Sequence, residues 1–199
     1  MPTDPARAAA DGRRTRGAQT RRRLLDAAMR VVSRDGPQGV THRAVAAEAG
    51  VSKSLATYHF ATIEELLVAA LVECTEEFAH ELAESLPATS TPAGLAHYFA
   101  ASFNADREAW LGSYELLLHA ARRPALREAA LAWPAWTARL ARRYTDDPAA
   151  VDAFVATLDG AGLLALLTDA PLDADRLARL FERILLPGRT SRMVRAGSR

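Results

Sequence analysis

The chain has 199 residues, of which 49% are hydrophobic and 25% are charged, a composition typical of a globular protein that buries a core in one or two small domains. Its net charge of +1 hides an asymmetry, since residues 1–60 contain 11 Lys and Arg against 5 Asp and Glu, whereas residues 61–199 contain 14 against 19. A basic N-terminal third on an acidic body favours nucleic-acid binding at one end and argues against a protein that coats DNA non-specifically through widely spread basic charge. The alternative is an ordinary solvated charged surface.

The cysteine content and the lack of long apolar runs limit the cellular compartments in which the protein is expected. Cys74, the single cysteine, excludes an internal disulfide framework and fits a reducing cytoplasm. Arg13 and Arg14 are not followed by an apolar segment, and the uncharged stretch 85–105 contains two prolines, so the sequence predicts neither a secretory leader nor a membrane span. The sequence also shows no Gly-rich phosphate loop, nucleophile elbow or metal-ligand spacing, which predicts a protein without enzyme activity, cofactor or metal.

The N-terminal segment divides into an arm and a helix. Residues 1–14 contain Pro, Gly, Ala and Arg without apolar periodicity, which predicts a flexible basic arm. Its arginines either reach DNA phosphates and the minor groove or remain in a solvated tail. A first helix is predicted from about residue 15 to Asp35, with Gly36 and Pro37 ending it.

Residues 41–60 have the pattern of two short helices joined by a tight turn. Thr41 and Ser52 are residue types that cap helix N-termini, and Gly50 can adopt the left-handed conformation that ends a helix. Two helices in this arrangement form a helix-turn-helix, which places its second helix in the major groove of DNA. The sequence therefore predicts double-stranded DNA as a partner.

The stretch 51–60, Val-Ser-Lys-Ser-Leu-Ala-Thr-Tyr-His-Phe, and the Ile-Glu-Glu-Leu-Leu at 63–67 resemble the DNA-binding domain of TetR-type transcriptional repressors, over about residues 15–70. The resemblance implies that Arg43 reaches a guanine edge, for which arginine supplies a bidentate donor pair. Leu55 either contacts a thymine methyl group from the outer face or packs inward against the preceding helix. The implied DNA-contacting set is Thr41, His42, Arg43, Ser52, Lys53, Ser54, Leu55, Thr57, Tyr58, His59 and Thr62.

Helical spacing continues through the rest of the chain. Thr62 is the predicted N-cap of a long helix that ends near residue 85, and Pro134 is expected to kink or split the helix that contains it. Further helices are predicted near 92–104, 107–121, 124–144, 148–168 and 173–185. The predicted all-α fold comprises a flexible arm (1–14), a three-helix helix-turn-helix domain (15–61), a helical effector-binding and dimerisation domain (62–186) and a disordered tail (187–199).

Aromatic residues are concentrated between residues 95 and 136. They either form a solid core or line an apolar cavity with a few polar groups, which is how small-molecule sites are built. The resemblance implies such a cavity for a small hydrophobic effector. The predicted effector-binding residues are Phe99, Phe103, Trp110, Tyr114, Leu117, Trp133 and Trp136.

The two C-terminal helices each present an apolar stripe. These stripes are either intramolecular core or the face of a homodimer, and the resemblance implies a four-helix bundle across a two-fold axis. The predicted interface residues are Val151, Phe154, Val155, Leu158, Gly162, Ala165, Leu177, Phe181 and Ile184.

These expectations describe a ligand-responsive transcriptional regulator, a repressor by resemblance, that binds a palindromic operator as a dimer and is released by its effector. The alternative is a ligand sensor or adaptor of the same fold without sequence-specific DNA binding. Retention of Arg43, Lys53, Tyr58 and His59 weighs against that alternative.

Overall fold

The computed structural model describes residues 5–87 and 90–187, with side chains from residue 15 onward. Within these residues the regular structure is ten α-helices and one short 3-10 turn at Pro37–Gly39, which confirms the predicted all-α fold. The helices are α1 (Pro5–Asp35), α2 (His42–Ala49), α3 (Lys53–His59), α4 (Ile63–Ser85), α5 (Pro92–Ala105), α6 (Arg107–Ala121), α7 (Pro124–Ala130), α8 (Ala132–Ala141), α9 (Pro148–Leu167) and α10 (Ala174–Leu185).

Helix α1 begins earlier than the sequence analysis expected. Residues 5–14 are helical, so the prediction of a flexible arm is wrong for them. Pro5 suits the first turn of a helix, and the three alanines at 8–10 have the highest helix propensity. Apolar periodicity identifies only the part of a helix that packs on a core. Helix propensity can extend the helix beyond that packed part. Residues 1–4, and residues 188–199 of the predicted tail, lie outside the described residues.

The chain divides into two compact units. The first unit comprises the described residues up to Glu73 together with Gly112–Ala130, and the second comprises Cys74–Leu111 and the described residues from Leu131 onward. Helices α4 and α6 each contribute residues to both units, so the predicted domain boundary between residues 61 and 62 does not separate these two units.

The core of the first unit is built on the apolar stripe of α1. Its buried α1 residues include Leu24, Leu25, Ala28, Val31 and Val32, the helical repeat visible in the sequence. Gly112 lets α6 approach α1 closely, since an added Cβ would lie 2.5 Å from Ser33 Oγ and 3.0 Å from Ser33 Cα.

The core of the second unit is formed mainly by α5, α9 and α10. The rings of Phe154 and Phe181 pack with centroids 4.6 Å apart. At one end, the Asn104 amide bonds both the N–H (2.8 Å) and the carbonyl (3.1 Å) of Leu172. Arg107 donates to the carbonyl of Ala165 at 3.1 Å, which ties the start of α6 to the end of α9.

The predicted break at Pro134 is confirmed. Helix α7 ends at Ala130 and α8 begins at Ala132, so Pro134 falls in the first turn of α8. A proline has no N–H to donate and its ring clashes with the carbonyl four residues earlier, but the first turn requires no such donor.

Helix α9 is long enough and apolar enough to cross a membrane by length and composition alone. Helices α3 and α4, which are joined by a bend of 70°, would also be so if taken together as one span. Core helices of proteins outside membranes pass this test as well, so it carries little weight.

Candidate functional site

The helix-turn-helix predicted at residues 41–60 is present, with its caps in place. Thr41 Oγ1 accepts a hydrogen bond from the N–H of Ala44 at 3.1 Å, and Ser52 Oγ accepts one from the N–H of Leu55 at 3.2 Å. Gly50 has φ 65° and ψ 39°, the left-handed conformation that ends α2. Thr41 therefore fixes the start of α2, while Gly50 and Ser52 fix the two ends of the turn.

Helix α3 buries one face and exposes the other. Ala56 and the following Phe60 are buried, whereas Tyr58 is 81% exposed. Leu55 is 37% exposed, so it lies on the outer face and the alternative of inward packing is not realised. The exposed side chains of this face are Ser52, Lys53, Ser54, Leu55, Thr57 and Tyr58, while His59 is partly buried.

Two arginines of α1 hold the helix-turn-helix in position. Arg23 Nη2 donates to the carbonyl of Ala49 at 2.5 Å, at the negative end of the α2 dipole. The guanidinium of Arg21 lies 4.4 Å from the centroid of the Phe60 ring. Sequence reasoning missed these roles because the partners are far apart along the chain, although a run of three arginines directly before a packed stripe was visible.

A second clamp joins α1 to the outer side of α2. Glu48 accepts hydrogen bonds from Arg30 Nε at 2.7 Å and from Arg34 Nη1 at 3.0 Å. The Arg30 hydrogen bond, with that from Arg34, holds the pKa of Glu48 below its usual value. Asp35 first, and then Glu48, raises the pKa of Arg34. These cations are engaged within the protein.

Arg43 and Lys53 differ from the clamping arginines. Both are exposed, and among the residues that the structure describes neither forms an ion pair. Arg43 lies in the first turn of α2 and Lys53 is the first residue of α3, so both cations stand at helix N-termini. Their charge is available to a phosphate or a base edge.

The other predicted DNA contacts are partly committed inside the protein. His42 Nε2 lies 2.8 Å from the carbonyl oxygen of Phe60, a bond that fixes the end of α3. If this nitrogen carries the proton of a neutral ring, the other nitrogen can only accept and cannot donate to a phosphate. Thr57 donates its hydroxyl to the carbonyl of Lys53 at 3.0 Å, a bond that it would have to release to donate to a phosphate.

Thr62 caps α4 as predicted, within a reciprocal capping box. Its Oγ1 accepts from the N–H of Glu65 at 3.1 Å, and Glu65 Oε2 accepts from the N–H of Ala61 at 2.8 Å and of Thr62 at 3.3 Å. The backbone N–H groups of Ala61 and Thr62 are thus bound to a carboxylate. For a phosphate contact, Thr62 is left with its hydroxyl hydrogen.

In the second unit an aromatic cluster surrounds Phe78 of α4. The Phe78 ring lies with centroid distances of 5.4 to 5.7 Å from those of Tyr98, Phe99, Trp110, Trp133 and Trp136. Phe103 joins through Trp110 at 5.7 Å. We call these seven residues the aromatic cluster. Phe78 is not among the effector-binding residues predicted from the sequence, so sequence reasoning missed its central position.

Five of the seven predicted effector-binding residues meet in this cluster: Phe99, Phe103, Trp110, Trp133 and Trp136. Tyr114 and Leu117 belong to the first unit, and Leu117 packs against the first core. Most ring pairs in the cluster are edge-to-face, which is one of the preferred geometries of aromatic rings in direct contact. The cluster is therefore closely packed.

A carboxylate on α9 is bound to the aromatic cluster. Trp133 Nε1 donates to Asp159 Oδ1 at 3.1 Å. Burial raises the pKa of Asp159, and the Trp133 hydrogen bond offsets part of that rise. Sequence reasoning missed Asp159 because it stands as a lone acidic residue in an apolar helix, which is itself the signal that could have drawn attention to it.

The predicted dimer stripe needs a correction. Seven of its nine residues are buried in the second unit and therefore belong to the intramolecular core. They are Val151, Phe154, Leu158, Gly162, Ala165, Leu177 and Phe181. Val155 and Ile184 are partly exposed. The opposite face of α9 is exposed and apolar, with Leu163, Leu164 and Leu167 at 42%, 52% and 75%. An apolar groove of about 360 Å³ runs between α9 and α10.

Two family models match consecutive parts of the chain. The model of bacterial regulatory proteins of the tetR family matches residues 24–70, and that of the tetracyclin repressor-like C-terminal domain matches residues 74–187. The curated HTH-type transcriptional regulator BetI of Rhizobium meliloti (strain 1021) is 33% identical over 47% of this chain, and the match spans about half (50%) of that relative's length.

Solved structures match over most of the chain. The multidrug binding protein EbrR complexed with ethidium is 42% identical, covering 83% of this chain and 97% of that one, with a TM-score of 0.71. A TetR family member (SCO1917) from Streptomyces coelicolor A3 is 42% identical, covering 83% and 98%, with a TM-score of 0.75. With the helix-turn-helix geometry described above, these matches show that the chain belongs to the TetR family of DNA-binding transcriptional regulators, which are not enzymes.

Proposed function

We propose that this regulator is a cytoplasmic repressor that binds a palindromic operator as a homodimer and is released by a small hydrophobic effector. The observation that carries the proposal is the outer face of α3, where Lys53 and Tyr58 project into solvent while the face behind them is buried. A helix with this division of faces fits the major groove.

The contacts fall into two kinds, positioning and reading. Lys53, at the first position of α3, pairs best with a phosphate, since lysine acts as a point charge. Arg43 carries the planar donor pair that guanine O6 and N7 accept, so it reads sequence. Leu55, on the exposed face, offers an apolar contact for a thymine methyl group.

A single helix-turn-helix reads few base pairs, and a two-fold dimer doubles the site and makes it palindromic. The exposed face of α9 supports this association through five residues: Ala153, Ala156, Gly160, Leu163 and Leu167. Their alternating spacing of three and four residues is that of a helix–helix seam. An added Cβ at Gly160 would meet nothing within 4 Å, so a partner helix has room to approach.

The aromatic cluster is the proposed effector site, because it brings five rings into contact with Phe78, adds Phe103 through Trp110, and carries a polar group at Asp159. The related protein EbrR forms complexes with ethidium, proflavin and malachite green, which supports an aromatic effector here. The effector lowers DNA affinity only if it binds the DNA-incompetent state better. Helix α4 contributes residues to both units and is the candidate transmitter.

Selection of bound DNA from a random pool, at about 50 and 200 mM salt, tests the proposal. We expect a palindrome to be enriched and its affinity to fall steeply with salt. A matched pair of variants, Lys53→Ala and the exposed Arg139→Ala, removes one positive charge each, and only the first is expected to weaken binding. No DNA binding at either salt would favour the sensor or adaptor alternative, and binding without an enriched motif would contradict sequence-specific repression.

A further inference from the structure

Helix α1 continues well beyond the core that it supports. The helix begins at Pro5, but none of the residues 15–23 is buried, and Leu24 is the first buried residue among those whose side chains are described. An added Cβ at Gly17 would meet nothing within 4 Å, so this part of the helix stands in open space. We call residues 5–20 the α1 extension. At about 1.5 Å of rise per residue it is about 24 Å long.

The α1 extension is basic, and part of its charge is ordered along one helix face. It contains four arginines against a single acid, Asp11. Arg7 and Arg14 stand fourteen and seven residues before Arg21, and seven residues are close to two helical turns. The next position of the same repeat is Ala28, which is fully buried in the first core. Arg7 and Arg14, which we call the arginine stripe, therefore continue the face of α1 that packs on the helix-turn-helix.

The contact made by Arg21 fixes where this face lies relative to α3. The Arg21 guanidinium is 4.4 Å from the centroid of the Phe60 ring, and Phe60 is the C-cap of α3. The residues directly before it, Tyr58 and His59, belong to the proposed DNA-contacting set. The arginine stripe thus begins about 10 Å from the position where α1 meets the end of α3 and reaches about 21 Å along the helix.

Duplex DNA is the partner that this row of charges fits. The duplex carries one phosphate charge per about 1.7 Å of its axis, so arginines spaced by two helical turns can each meet a phosphate without any requirement for base sequence. Arginine and phosphate also pair through two parallel hydrogen bonds. When α3 lies in the major groove, the DNA that continues past its C-terminal end is the polyanion next to the stripe.

We propose that the α1 extension is a second DNA-binding element, which contacts phosphates of the duplex flanking the operator. This inference rests on the proposed function, because it requires α3 to be bound in the major groove. Helix α3 supplies base readout, and the arginine stripe adds affinity that is independent of sequence by releasing counterions from the flank. The DNA needed for full affinity is then longer than the palindrome that the helix-turn-helix reads.

The test uses the full chain and two duplexes that contain the selected operator. One duplex ends at the palindrome, and the other adds about ten base pairs on each side, about 34 Å of DNA and more than the length of the extension. Fluorescence anisotropy at about 50 and 200 mM salt measures both affinities. The double variants are Arg7→Gln with Arg14→Gln, Arg7→Lys with Arg14→Lys, and the control Arg139→Gln with Arg142→Gln, which removes two exposed arginines of the second unit.

The wild type is expected to bind the longer duplex about tenfold or more tightly than the shorter one at the lower salt. The glutamine variant of the stripe should lose most of this difference, and its salt slope on the longer duplex should fall by about one for each lost contact. Its affinity for the shorter duplex should stay within about twofold of the wild type. The lysine variant should retain most of the difference, since a phosphate accepts either cation.

The control variant should match the wild type on both duplexes. All variants should melt as the wild type does, because glutamine and lysine have helix propensities close to that of arginine and the stripe precedes the first buried residue. Equal affinity of the wild type for the two duplexes, or a difference that the glutamine variant retains, would overturn the flank contact and leave the proposed function standing. A difference lost in the lysine variant as well would overturn a contact based on charge. Failure of the selection to yield an operator, or of the wild type to bind either duplex, would contradict the proposed function and the inference with it.

Discussion

The two units of this protein use burial in opposite ways. In the first unit the proposed working residues, such as Lys53 and Tyr58, are exposed, and buried neighbours and helix caps hold their helix in place. In the second unit the proposed effector residues, such as Phe99 and Phe103, are fully buried and pack on one another. The proposed DNA-contacting face is thus formed without its partner, whereas an effector in the aromatic cluster would have to replace ring contacts with ligand contacts.

The largest effect is expected from Phe99→Ala. Phe99 has 0% exposure and stacks on Phe78 at a centroid distance of 5.5 Å, so its removal should lower the free energy of unfolding by about 3–5 kcal/mol. Tyr58→Ala, at an exposed aromatic residue, serves as the control and should stay within about 0.5 kcal/mol of the wild type. Urea unfolding measures both. If Phe99→Ala lowers the free energy of unfolding by less than about 1 kcal/mol, the aromatic cluster is loosely packed and the two units do not differ in their use of burial.

The next largest effect is expected from Arg43→Ala on DNA binding. Loss of a bidentate guanine contact should cost about 1–3 kcal/mol and relax specificity at one base position. Because Arg43 is exposed and outside the clamps that hold α2, the melting temperature should not change. Binding of a set of single-base operator variants measures the effect. A uniform loss across all sequences would instead assign Arg43 to a phosphate.

A smaller effect is expected from Ser52→Ala, which removes the N-cap of α3. The lost hydrogen bond to the N–H of Leu55 should cost about 1 kcal/mol of stability. Ser52→Asp keeps the cap but places a negative charge on the DNA-facing side, so it should retain stability and lose DNA affinity. Thermal unfolding and operator titration separate the two. If both variants bind DNA equally, Ser52 does not lie near the phosphate backbone.

The features that could be predicted from the sequence are mostly the local ones of the first unit. The caps at Thr41, Ser52 and Thr62 and the left-handed Gly50 depend on residues a few positions apart, and all four are confirmed. Helix-breaking by Pro134 is equally local. Residue type and near neighbours decide these features, so a pattern in the sequence is sufficient to find them.

The predictions that failed concern either a helix with two apolar faces or contacts between residues that are far apart along the chain. Helix α9 is apolar on both sides, so periodicity could not decide which stripe enters the core, and the stripe containing Phe154 was assigned to the wrong surface. Phe78 and Trp133 meet across 55 positions, and Trp133 and Asp159 across 26. No local spacing carries that information, because only the packed helices bring these side chains together.

The smallest effect concerns Glu48, the acid that clamps α2 from the outside. Its pKa is lowered from 4.5 by the hydrogen bond from Arg30 first and then by that from Arg34. Because the folded-state pKa lies below the unfolded value, the ionised Glu48 contributes stability above the unfolded pKa, and this contribution is lost as the pH falls through the folded pKa. Glu48→Gln should therefore flatten the fall of the melting temperature below about pH 4.5, with only a slight change at neutral pH, since exposed ion pairs are screened by solvent.

The exposed Glu76→Gln is the control for this measurement, since it removes an equal charge. Melting curves from pH 3 to 7, at low and high salt, compare the two variants with the wild type. Parallel pH profiles for wild type and Glu48→Gln would mean that the clamp contributes no stability. The Arg23 hydrogen bond, the cap at Thr41 and the buried side chains of α2 would then be sufficient to hold this helix in place.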